Sequence, residues 1–548
     1  MENNEKETNL EKETQSHEDV KEEKKQNFFV NFYMKVCAKI GKRTTIIVGI
    51  AIVVVLLALI ILIPTLASKS NSTKNGSTTH THSFTNYVYN NDATESENGT
   101  KTAKCDGCDK TDTKTAENTF LGTSALTYTT NTDGNYIVTG LESNFTGVNV
   151  YIPATYNGKD VVGISDYNEQ TAPVFEENEK IEKVVIGKNV KTIGKDAFCC
   201  SSLKEITLPD GLTTIDDDAF SYCSNLKEVT LPNSLTTIGD NAFDSCTSLK
   251  EISIPDSVTS IGIEAFEGCS ELRKVKLSNS LTEISENMFV WCYRLYEITI
   301  PDSVTTISKG AFNNSGLMSI TIPKNVTSIG DYAFNYCPKL VEVKNNSSLT
   351  ITRNSSENGC VGKYAEREIN FSGDSNLVNV DGYYFFTTND KNYLMGYVGD
   401  STELLLPEKY NGASYELWTD VFHGYKEITK VVIPNTIYTI TENAFESCES
   451  LVDITIGSGV TTIDNYAFDS CSSLETITIP IQVTTIAPAV SGVSCRIFAY
   501  CKKLLTINCE AASKPDGWNS RWLELSTFDS TNQYYNAEAT INWGYTGN

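Results

Sequence analysis

Histidine is nearly missing from this chain: His17, His80, His82 and His423 are the only four among 548 residues. Only His423 falls in the region that reads as folded, so chemistry that gathers imidazoles about a metal or a nucleophile has almost no material. Also lacking are Gly-x-Ser-x-Gly, His-Glu-x-x-His and a glycine-rich phosphate loop. Carboxylate pairs able to hydrolyse a glycoside could be drawn anywhere among 69 Asp and Glu, so none is singled out. No catalytic residue, metal site or cofactor is expected, and the chain reads as a non-enzyme. Basic residues are in deficit too, 44 against 69 acids, a net charge of −25. Such a surface repels nucleic acid and anionic lipid and favours basic partners or cations.

Long hydrophobic runs are absent but for one. Thr44 to Ser68 carries no charge, and Ile46 to Ile63 is almost wholly aliphatic, long enough to span a bilayer as a helix. Lys35, Lys39, Lys42 and Arg43 precede it, while only Lys69 and Lys74 follow closely, so the N-terminus is expected in the cytoplasm and the rest outside. The competing reading, a cleaved signal peptide ending near Thr65-Leu66-Ala67, needs a shorter apolar region and a shorter leader. Residues 1–43 hold nine basic and nine acidic residues and read as a disordered tail, so the net negative charge belongs to residues 44–548. Residues 69–124, rich in Ser, Thr, Asn and Lys, read as a flexible stalk. Within them, Cys105 and Cys108 have the spacing of a local disulfide or of half a zinc site.

What the chain has in abundance is a unit of 23 residues. Its opening apolar residue recurs at Ile181, Leu203, Leu226, Leu249, Leu272, Leu295, Leu317 and Leu340, then at Ile428, Leu451, Leu474 and Leu504. A fixed period of this size is the signature of a solenoid, in which one coil cannot bury its own apolar side and stacked coils share a core. Taking Leu226 as position 1, apolar residues fall at 4, 6, 10 and 13 (Val229, Leu231, Leu235 and Ile238), with Ala242 and Phe243 at 17 and 18. Leu226 to Leu231 alternates like a half-buried strand and Pro232 ends it; Leu235 to Ile238 is a second extended piece, and Ala242-Phe243 falls in a turn. A Phe column is expected through Phe198, Phe220, Phe243, Phe266, Phe289, Phe312 and Phe334, then Phe445, Phe468 and Phe498. Nine cysteines lie three residues before an opening residue: Cys200, Cys223, Cys246, Cys269, Cys292, Cys337, Cys448, Cys471 and Cys501. A position that repeats with the coil is a packing position, so these are read as buried free thiols.

The unit Leu-x-x-Ile-x-Leu-Pro-x-Ser-Leu-Thr-x-Ile-Gly-x-x-Ala-Phe-x-x-Cys resembles the BspA-type leucine-rich repeat, over about residues 148–344 and 400–548. The resemblance implies a β-rich solenoid, no catalytic motif, and membership among surface proteins of bacteria and some protists, several regarded as adhesins. Thr129 to Tyr136 and Thr387 to Tyr393 also resemble each other, each preceding an array, and read as hairpin-like caps of two solenoids, one continuous solenoid with a long loop being the alternative. The expected order is a tail (1–43), a transmembrane helix (44–68), an extracellular stalk (69–124) and a first solenoid with its cap (125–345). A joint and second cap (346–427), a second array (428–510) and a C-terminal cap (511–548) holding Trp518, Trp522 and Trp543 complete the chain.

Positions 3 and 5 of each coil should point outward and line up between coils. They offer a ligand-binding stripe of Glu205, Thr207, Glu228, Thr230, Glu251, Ser253, Glu297 and Thr299. Glu205, Glu228 and Glu251 would form a like-charge row, open to a basic partner or a divalent cation, unless Lys204, Lys227 and Lys250 beside it compensate. The joint is the other binding candidate, for its aromatics Tyr383, Tyr384, Phe385, Phe386, Tyr393, Tyr397 and Trp418. The chain is therefore expected to be a single-pass surface protein whose partners are proteins or glycoproteins, with no nucleic acid. A structural spacer with no specific ligand is the alternative.

Overall fold

The structure is a computed structural model that describes residues 88–89, 100–104, 111–115, 126–142, 148–164, 174–487, 496–519, 522–523 and 539–547. Among these, no helix is long and apolar enough to cross a membrane. Thr44 to Ser68, the tail, and the Cys105/Cys108 and His80/His82 pairs lie outside them. Within the segment expected as a stalk, the described residues form three short antiparallel strands, Val88–Tyr89, Thr100–Lys104 and Thr111–Thr115.

The coils of the solenoid stack two extended pieces each, which pair as short strands in two parallel ladders along most of its length. On one side Glu251–Ser253 pairs with Lys274–Lys276, like position upon like position. On the other, Thr192, Thr214, Thr237 and Ser260 pair in turn, and each neighbouring Ile points inward. Threonine and isoleucine suit this half-buried pleated surface because their branched side chains fill it on both faces. The third side is the Ala-Phe turn, bonded from coil to coil: the Phe220 amide donates to Ala242 O, and the Phe243 amide to Ala265 O, both at 2.9 Å. The chain passes through the left-handed region twice per turn, as at Asn241 (φ 52°) and Ser245 (φ 54°), which suits Asn and Gly best.

The Phe rings form continuous stacks. Centroids lie 5.0 to 5.7 Å apart with planes within 19°, from Phe175 to Phe334 and again from Phe422 to Phe498. Phe175 and Phe422 extend the expected column by one coil at the start of each stack. Beside it, the thiols at the repeated Cys position donate to the Phe carbonyl of the coil before: Cys223 to Phe198 O at 3.0 Å, Cys246 to Phe220 O at 3.2 Å, Cys269 to Phe243 O at 3.2 Å, and likewise through Cys501. One expected member is misplaced. The coil holding Phe198 is a residue short, so Ser201 takes the buried place and contacts Cys223 Sγ at 3.4 Å, while Cys200 is exposed. Ser315 does the same against Cys337.

Two hydrophobic cores result. The first runs from Leu126 to Ala365, past residue 345 where the first array was expected to end, because Val361 and Ala365 seal its last coil. The second runs from Tyr383 to Trp522 and includes Tyr296, Met318 and Val341 from the flank of the first array. Each array starts alike. Leu126–Thr130 and Tyr136–Leu141 form an antiparallel hairpin whose second strand pairs in parallel with Lys159–Ile164. Tyr383–Thr388 and Lys391–Tyr397 repeat this, pairing onward with Glu416–Leu417. At the far end Trp518 and Trp522 pack together (4.8 Å) below Phe498, with Trp543 against both.

Candidate functional site

All eight residues of the proposed stripe are exposed, flanking an inward Ile or Val. Their alignment between coils follows from the parallel ladder: Glu205 pairs with Glu228, and Glu228 with Glu251. The row of three carboxylates ends in a lysine on each side. Lys183 Nζ lies 2.5 Å from Glu205 and Lys274 Nζ 3.7 Å from Glu251. Compensation therefore comes mostly from within the row. Of the neighbouring lysines, Lys204 pairs with Glu182 (2.8 Å) and Lys250 with Glu427 (2.8 Å).

The stripe does not act as one flat face. The hairpin of the joint stands over its middle and makes a groove of ≈ 1130 Å³. Glu228, Glu251, Glu297 and Thr299 line it; Glu205, Thr207, Thr230 and Ser253 lie outside. Tyr384, Val398 and Asp400 supply the opposite wall. Five cationic side chains (Lys227, Lys250, Arg273, Lys274 and Lys276) face four anionic ones (Glu228, Glu251, Glu297 and Asp400). In a chain of net charge −25 this groove is a local balance of both signs, which departs from the acid row expected to favour a basic partner or cation. A second hollow of ≈ 380 Å³ continues past Tyr384 toward Lys344 and Phe371. Most of the other joint aromatics face the core: Phe385 and Phe386 are buried, and Phe385 stacks on Tyr410 at 4.2 Å. Tyr384 is the exception, set edge-on to Tyr296 (5.7 Å), with burial and the Glu297 charge raising its phenol pKa.

A buried polar cluster holds the hairpin in place. Arg294 reaches Glu271 at 2.5 Å and donates to Tyr397 O at 2.9 Å. Arg273 donates to Gly399 O (2.9 Å) and Asp400 (2.7 Å), and its charge is the main reason the Asp400 carboxyl titrates below its usual range. Glu271 also accepts from the Lys426 amide at 3.1 Å. Glu271, Arg273 and Arg294 pair with one another away from water, where an unpaired charge is costly, while Asp400 stays exposed and the Nε of each arginine finds no partner among the described residues. None of them was singled out from the sequence.

Stacked 23-residue coils with two parallel ladders, a Phe stack and a thiol column define a leucine-rich-repeat β-solenoid. The model of the BspA type leucine rich repeat region matches six copies, over residues 165–250, 236–363 and 416–515, more than half the chain. The chain belongs to this family, whose members are typically non-enzymatic structural or binding proteins. Among solved structures, a leucine rich cell surface protein from Faecalibacterium prausnitzii is 24% identical, over 78% of this chain and 95% of that one, with a TM-score of 0.33. The T. pallidum leucine rich repeat protein is 30% identical, over 35% of this chain and 87% of that one, TM-score 0.33. The pneumococcal vaccine antigen PcpA is 18% identical, over 78% and 98%, TM-score 0.25. No curated protein matches the chain.

Proposed function

We infer that this is a cell-surface protein that binds other proteins or glycoproteins through the groove between its strand face and the joint hairpin. The observation that carries the reading is the groove itself, where an ordered ladder of side chains meets a second wall. Charges of both signs line it, so it suits a protein surface of mixed charge better than a uniformly basic one. Thr44 to Ser68 supports a single-pass anchor with the N-terminus in the cytoplasm and the repeats outside the cell. Adhesion to a host or neighbouring-cell macromolecule is the role such a groove would serve.

The test is binding of the purified chain to immobilised matrix proteins and mucins. Saturable binding that Glu251→Lys with Glu297→Lys removes, at unchanged thermal melting, supports the groove. Absence of saturable binding to every surface favours a spacer without a ligand. Protease treatment of intact cells tests the topology: the repeats should be digested and residues 1–43 protected.

A further inference from the structure

A separate cavity of ≈ 350 Å³ opens where the flank of the first array meets the first Ala-Phe-type turn of the second. Its most telling lining residue is Lys339, whose side chain is 3% exposed. The ammonium donates to Val421 O at 3.3 Å and lies 5.6 Å from the centre of the Tyr296 ring. It belongs to no ion pair among the described residues. An ammonium carries three donors, and one carbonyl uses only one. Burial lowers its pKa to about 8, which still leaves it charged at neutral pH. A charged, under-satisfied donor on a cavity wall calls for acceptors from something that enters.

The remaining walls narrow what that is. Asp420 is held by Asn443 Nδ2 at 2.8 Å, and Glu442 stands at the rim, so the cavity also presents acceptors for hydroxyl donors. A free anion would meet both carboxylates, and a cation would meet Lys339. His423, stacked on Tyr293 at 4.4 Å, is kept neutral by burial, which pushes its pKa down to about 4. Tyr336, 61% exposed, offers an apolar ring at the mouth. A neutral polyol supplies what each wall lacks, since every hydroxyl both donates and accepts and a pyranose ring has a C–H face to lay on an aromatic ring.

We propose that this cavity binds a neutral pyranose unit, and so gives the protein a glycan-recognition site distinct from the groove. Lys339 donates to ring hydroxyls, Asp420 and Glu442 accept from them, and Tyr336 covers one face. The experiment titrates the full chain with the methyl glycosides of glucose, galactose, mannose and N-acetylglucosamine, followed by saturation-transfer NMR and calorimetry. At least one should bind saturably, with a dissociation constant on the order of millimolar, as single sugars on shallow sites do. Tyr336→Ala and Glu442→Ala, both exposed at the cavity mouth, should each weaken it about tenfold or more, with melting unchanged. Lys339→Met should abolish it. The proposal is overturned if none of the four binds, if binding survives both mouth variants, or if sodium acetate displaces the sugar as well as another sugar does.

Discussion

The Arg294 guanidinium lies 4.1 Å above the centre of the Tyr425 ring, joining two side chains 131 positions apart. Tyr425 Oη donates in turn to Tyr397 O at 2.7 Å, the same carbonyl that Arg294 reaches. This contact fixes the hairpin against the first array and with it one wall of the groove.

Removing one partner of the cluster should be costly. Arg294→Ala leaves Glu271, 1% exposed, without its closest cation. Breaking a buried pair from one side typically costs about 3–5 kcal/mol. Urea unfolding of the full chain should shift from one transition to two, with the second array losing its support first.

Phe243→Ala should cost about 3–5 kcal/mol, as truncation of a fully buried aromatic does. Cys246→Ser should cost about 1 kcal/mol or less, because a hydroxyl can keep the bond to a carbonyl. Ser201 and Ser315 already fill that place in two coils. Denaturant midpoints of the two variants measure the contrast.

Acid should at first stabilise the solenoid. Burial, with neighbouring carboxylates, raises Glu267 and Glu446 from 4.5 to about 7. Folding therefore takes up protons, and stability is gained as pH falls from about 7 toward 4.5. His423 acts in the opposite sense, since its folded pKa of about 4 lies below 6.5 and stability is lost as pH falls through that window. The two carboxyls outweigh the one imidazole, so calorimetry should show the melting temperature rising from pH 7.5 to about 4.5, with a steeper rise below pH 6.5 in His423→Gln.

Lys339 is held charged at a cost. Its folded pKa of about 8 lies below 10.5, so the penalty is full below pH 8 and is relieved as pH rises toward 10.5. Lys339→Met should be more stable at pH 7 by roughly 1–4 kcal/mol, with the gain shrinking above pH 8.

The coil was legible because each of its positions repeats, so a column of Phe or Thr-Ile announces its own burial. Cys200 was misassigned because counting back from Leu203 hides a one-residue deletion that counting forward from Phe198 exposes. The groove was only half legible. Its stripe follows from alternation, but Tyr384 and Asp400 reach it from far along the chain. One signal was available: position 2 reads Lys204, Lys227, Lys250 and Arg273, then Tyr296, Met318 and Val341. That change from charged to apolar marks where the flank becomes covered. The Glu271, Arg294 and Lys339 cluster carries no such mark, because a charged residue before an opening Leu is as compatible with water as with a partner.

The central physical claim is that like side chains of successive coils stack into interior columns. Maleimide labelling of the native chain, read residue by residue by mass spectrometry, tests it most directly. Cys223, Cys246, Cys269, Cys292, Cys337, Cys448, Cys471 and Cys501 should stay unmodified until the chain unfolds, while Cys200 reacts at once. Rapid modification of any of those eight in the folded protein would contradict the account.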